Sequence, residues 1–143
     1  MPSPLTLNAY NDWKSSCHLL SESLSHYKPY DCKVKYTEQQ LEFYDSLSFR
    51  FTKAIETAFY FFRALELELT GSSSQYLRDQ LLKMEKLEIV DNIDQWMGAR
   101  KLRNKITHSY DPDELEKIYA SLVPYAREIV EACDRAQKHL ELH

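Results

Sequence analysis

Glycine occurs only twice in this 143-residue chain, at Gly71 and Gly98, and proline only five times. A chain so short of these residues has few places to reverse tightly, because glycine supplies left-handed backbone and proline presets turns. Long helices follow, and the apolar residues repeat at the helical period in five patterns. The first carries Trp13, Cys17, Leu20, Leu24 and Tyr27. It stops near Lys28-Pro29, since the residue before a proline avoids helical backbone. A polar, tyrosine-bearing link leads to Thr37, with Gln40 spaced for a capping box. The second pattern is the longest, from Phe43 through Phe51 and Phe61 to Leu69, with Gly71 as its stop. Its middle is apolar nearly all round, as suits a helix central to a bundle or lying in a subunit interface. After a Ser72-Ser73-Ser74 loop and cap, a short third helix carries Leu77, Leu81 and Met84. Asp91 is read as the cap of the fourth. Asp111-Pro112-Asp113-Glu114 starts the fifth, with Asp at the cap and Pro at the first helical position. That last pattern runs to Leu140, and Pro124 inside it is expected to kink it. The expected architecture is a single all-α domain over residues 1–143, an antiparallel up-down bundle of four to five helices.

The formal net charge of −4 argues against a protein that coats nucleic acid without regard to sequence. Locally the balance reverses. No acidic residue lies between Asp94 and Asp111, whereas Arg100, Lys101, Arg103 and Lys105 all do. Cys17, Cys32 and Cys133 are odd in number and widely spaced, and Met1-Pro2-Ser3-Pro4 does not open a secretory signal. A cytoplasmic protein with reduced thiols is expected, with Cys17 and Cys133 on apolar stripes as core residues. Cys17-His18 are not at metal-ligand spacing, His26, His139 and His143 read as surface residues, and Asp111, Asp113 and Glu114 read as capping residues. No metal site and no cofactor are expected.

The chemistry concentrates in Arg103-Asn104-Lys105-Ile106-Thr107-His108-Ser109-Tyr110, at the end of the fourth helix. Arginine is permanently charged, and histidine is the side chain that ordinarily changes charge near neutrality. Together they suit phosphodiester cleavage through a 2′-hydroxyl. On a wheel stepping about 100° per residue, Ala99, Leu102 and Ile106 form the core face. Ile93, Trp96, Met97, Arg100, Arg103, Asn104, Thr107 and His108 share the opposite arc, apolar in its first half and polar in its last. Something must cover Ile93, Trp96 and Met97. A two-fold partner is expected, putting Arg103, Asn104 and His108 in a cleft at the edge of the interface; another helix of the same bundle is the alternative. Asn104 and His108, one turn apart, are spaced for a hydrogen bond. Arg103 and His108 lie about 140° apart and converge only because Arg is long or because the helix ends at His108.

At these residues the chain resembles the HEPN superfamily of small helical proteins, and more narrowly its HepT-like group, through the Arg-x4-His-x-Tyr form of the motif. Trp96, Arg100, Arg103-Asn104, His108, Tyr110-Asp111 and Ile118-Tyr119 fit that pattern, over roughly Phe43 to Leu140. The resemblance implies a homodimeric, metal-independent endoribonuclease toxin, silenced by a minimal nucleotidyltransferase antitoxin. It implies that His108 is the general acid or base, that Arg103 neutralises charge on the phosphorane, and that Asn104 orients the site. Arg100, Lys101 and Lys105 would bind RNA, and Tyr110 would be the tyrosine modified with AMP. Partners are then a second copy, the nucleotidyltransferase and RNA, with no role expected on DNA or at a membrane. The alternative is a non-catalytic adaptor, a nucleotidyltransferase-associated substrate-binding protein, for which the acidic net charge and the aromatic-rich long helix speak.

Overall fold

A computed structural model describes residues 1–142; His143 lies outside the described residues. Five helices account for most of the chain: α1 (Pro4–Ser25), α2 (Glu38–Thr70), α3 (Leu77–Lys86), α4 (Ile93–Ile106) and α5 (Pro112–Leu142). No strand occurs among the described residues. The helix limits follow local chemistry. Thr37 and Gln40 form the reciprocal capping box at the head of α2, with bonds of 3.2 and 2.9 Å. Gly71 ends α2 in the left-handed region at φ 80° and donates to the Leu67 carbonyl. Two caps differ from expectation. Asn92, not Asp91, caps α4, its side chain accepting from the Gln95 N–H. At α3 the cap position is Tyr76, which makes no side-chain cap bond. Pro124 lies within α5, which continues through it.

The bundle is antiparallel, as the pairings across it show. Early α1 meets late α2, where Trp13 packs against Phe61 and Phe62 at ring distances of 5.4 and 5.5 Å. Late α1 meets early α2, where Arg50 donates to the Leu19 carbonyl and the Ser23 hydroxyl. Tyr10 of α1 reaches Gln137 near the end of α5, so α5 also runs against α1. The link between α1 and α2 folds back as an aromatic plug. Tyr30 stacks on Tyr36 and meets Tyr44 and Tyr119, tying the starts of α2 and α5 together. Within this core the Trp13 indole nitrogen is the one buried side-chain polar atom without a hydrogen bond among the described residues.

Two polar clamps hold the short helices on this frame. Glu66 of α2 is buried and meets Lys83 of α3 at 2.6 Å, with further bonds from the Ser74 N–H, the Ser74 hydroxyl and Gln80. Burial pushes its carboxyl upward, but these donors outweigh burial and hold it down at about 2. After α3, Glu88 takes left-handed backbone at φ 63°. Glu88 N–H donates to the Glu85 carbonyl and Ile89 N–H to that of Met84, the double bond of a Schellman ending with Glu where Gly is usual. The second clamp joins α4 to α5. Trp96 Nε1 donates to Glu128 at 3.0 Å, Arg135 meets the same carboxylate at 2.6 Å, and Arg135 Nε donates to the Ile89 carbonyl. Gly98 allows the close approach there, since a Cβ at that position would meet the Tyr125 hydroxyl. No described helix is long and apolar enough to cross a membrane.

Candidate functional site

The groove that gathers the motif lies between two helices. On α4, Arg100, Arg103-Asn104 and Thr107-His108 recur every three or four residues, so they line one side of the helix and its end. On α2, Thr52, Glu56, Tyr60 and Arg63 repeat in the same way on the outer face. The antiparallel packing sets these two stripes side by side. Thr52, Glu56, Arg103, Asn104, Thr107 and His108 line one open cavity of about 370 Å³.

Arg103 and His108 therefore converge, and the cause is the end of the helix. Regular α-helix stops at Ile106, Thr107 is the cap, and the His108 N–H donates to the Lys105 carbonyl at 3.1 Å. That tightened turn swings His108 toward Arg103. Buried Ser109 then fixes the chain. Its hydroxyl bonds the Lys105 carbonyl at 3.0 Å and Glu114 at 3.1 Å, bridging the end of α4 to the start of α5. With Ser109 held inward, Tyr110 is turned out and is 85% exposed.

Several expected residues fall differently. Ile93 and Trp96 are not an intermolecular surface. Trp96 is 1% exposed, packs on Phe59 and Phe62 of α2, and is bonded to Glu128 of α5. Ile93 is buried in the same core and Met97 is half-buried against it. Neighbouring helices of the same chain cover the apolar half of α4, so those residues offer no reason to invoke a second copy. The expected Asn104–His108 bond is replaced by another. The Asn104 amide oxygen accepts from Arg103 Nε and Nη2 at 3.4 and 3.3 Å, steadying the guanidinium. Of the basic residues, Arg100 lines an adjoining cavity, while Lys101 and Lys105 are exposed but line neither.

Glu56 is the functional candidate that the sequence reading missed. Among the described residues it is the one carboxylate lining the groove, and it lies on a different helix from the motif. In the sequence it is an ordinary polar residue on the outer face of a long helix, and only its i, i+4 spacing from Thr52 and Tyr60 hints at a shared stripe.

The thiols lie elsewhere. Cys17 and Cys133 are buried, and a hydrogen bond with Cys133, reinforced by burial, pushes the Cys17 thiol up. Cys32 gathers with Asp31 and Glu116, their ligand-type atoms within 4.8 Å of one another. Hydrogen bonds with Glu116 and Asp113 push the Cys32 thiol up to about 12, so it stays protonated beside those carboxylates.

Comparison with models of protein families, with curated proteins and with solved structures yields no match.

Proposed function

We propose that the protein is a metal-independent endoribonuclease of the HepT-like kind, acting at the α2–α4 groove. One observation carries the reading: a guanidinium, an imidazole and a carboxylate, from Arg103, His108 and Glu56, line the same open cavity. Cleavage through the 2′-hydroxyl needs a base, an acid and a fixed positive charge. The Glu56 carboxylate takes the 2′-hydroxyl proton as that oxygen attacks phosphorus. Protonated His108 gives a proton to the departing 5′-oxygen. Arg103, held by Asn104, stabilises the charge on the phosphorane. The products are a 2′,3′-cyclic phosphate and a 5′-hydroxyl. A single chain then supplies both proton-transfer groups, so the chemistry does not depend on a second histidine from a partner.

A homodimer remains part of the proposal, but with a different footing from Trp96. Exposed Leu19 of α1 and Phe49 of α2, which line a shared cavity, are among the apolar side chains open to a second copy. The resemblance also supplies the nucleotidyltransferase antitoxin, and the odd, widely spaced cysteines favour a cytoplasmic location. AMP on exposed Tyr110, two residues from His108, adds negative charge beside the groove and opposes RNA phosphate there. Incubation of the purified protein with single-stranded RNA in EDTA tests the reading. Cyclic-phosphate ends are expected from the wild type and not from Arg103→Ala. Intact RNA after prolonged incubation with the wild type would favour the adaptor.

A further inference from the structure

Beyond the reacting groups, the same groove continues along α2 and α4 into a second, larger cavity of about 670 Å³, and Glu56 belongs to the walls of both. Tyr60 and Tyr76, 57% and 65% exposed, present their rings there, with Arg63 and Arg100 beside them. Neither arginine is in an ion pair among the described residues. Two large aromatic rings exposed in one cavity form a patch of the kind that marks a binding surface, unlike hydrophobic residues scattered singly. Tyr76 carries a second sign. It occupies the cap position of α3 without making a cap bond, where Ser, Thr, Asp or Asn would stabilise the helix. The position gives up local stability and offers a ring to the cavity.

We propose that this second cavity is a nucleotide subsite for single-stranded RNA, in which Tyr60 and Tyr76 stack on bases flanking the scissile phosphate and Arg63 and Arg100 hold the adjoining phosphates. The proposal rests on the nuclease reading for its orientation, since a strand seated on the tyrosines passes Glu56 before reaching His108. Stacking needs unpaired bases with exposed faces, and guanidinium groups match phosphate in charge and shape, so the occupant is single-stranded rather than duplex. Glu56 opposes the backbone charge at the junction. Two unpaired guanidiniums on one side, with Arg103 on the other, outnumber it.

Binding is measured apart from cleavage by fluorescence anisotropy, with a labelled 2′-O-methyl oligonucleotide that cannot be cut. Tyr60→Ala and Tyr76→Ala are each expected to weaken binding by about 5- to 150-fold, the range for one lost stacking partner. Tyr60→Phe and Tyr76→Phe should restore it. Arg63→Ala should lower the slope of log Kd against log salt by about 0.7, one phosphate contact on a single strand. Tyr76→Ser separates a binding role from a structural one: it should raise the melting temperature by supplying a cap while binding falls. Unchanged affinity in both tyrosine-to-alanine variants, with cleavage still dependent on His108, would overturn the subsite and leave the nuclease standing. Tyrosine-dependent binding by a protein that never cuts RNA would support the subsite while the nuclease reading fails. If the oligonucleotide does not bind, and the tyrosine-to-alanine variants instead turn a dimer into a monomer in sedimentation, the cavity is an interface between copies and the proposal is wrong.

Discussion

The two halves of α4 share one helix and have opposite fates. The first half, Ile93 to about Gly98, is enclosed by α2 and α5 and tied down through Trp96, Glu128 and Arg135. The second half keeps Ala99 and Leu102 in the core but turns its other side to solvent, and it ends in the open turn that carries Arg103, Asn104 and His108. The difference lies in what faces each half. Phe59 and Phe62 meet the indole, whereas Thr52 and Glu56, one to two turns earlier on α2, meet the motif. A rigid half positions an accessible one, the division expected where preorganised charge must be held against RNA. Stability and activity should therefore separate along this single helix.

Trp96→Ala presses hardest on the sealed half. It removes a fully buried indole and one donor to Glu128, and should cost about 3–5 kcal/mol of stability, read as a lowered denaturant midpoint. A cost under 1 kcal/mol would mean that the apolar half is not enclosed as described. Arg135→Ala comes next. It leaves the Glu128 carboxylate with the indole donor alone, and because Arg135 is partly exposed the loss should be about 2 kcal/mol, below the range for a fully buried pair. Urea unfolding of the double variant Arg135→Ala with Glu128→Leu sharpens the test, since recovery of stability would identify an unpaired charge as the source. The smallest effect lies at the entrance to α4. Glu88→Gly relieves the left-handed backbone at the end of α3 and should gain about 0.5–1 kcal/mol, with RNA cleavage unaltered. A loss of stability there would show that the Glu88 side chain contributes more than its backbone costs.

The strongest local signals are legible because they depend only on neighbours in the chain, although the caps of α3 and α4 fall elsewhere than expected. The Thr37 box, the Gly71 stop and the Asp111-Pro112 start need only a few adjacent residues, and each lies where its chemistry requires. The end of α4 was legible for the same reason, and with it the convergence of Arg103 and His108. What covers an apolar face is a different kind of question. A helical wheel places Ile93 and Trp96 on one side but cannot say whether a partner or the chain's own α2 lies opposite. Glu56 escaped for a related reason, since its meaning comes entirely from the helix beside it. Asn104 shows how little separates two local options: one turn of helix favoured His108, yet the adjacent guanidinium took the bond.

On the proposed function, the open end of α4 acts on RNA while the first half of the helix holds it in place. The most direct measurement is the cleavage rate of His108→Ala on single-stranded RNA in EDTA, taken alongside its melting temperature. A fall of about 10²–10⁴-fold, the usual contribution of a positioned acid or base, with melting unchanged, is the predicted result. Cleavage at the wild-type rate would contradict it.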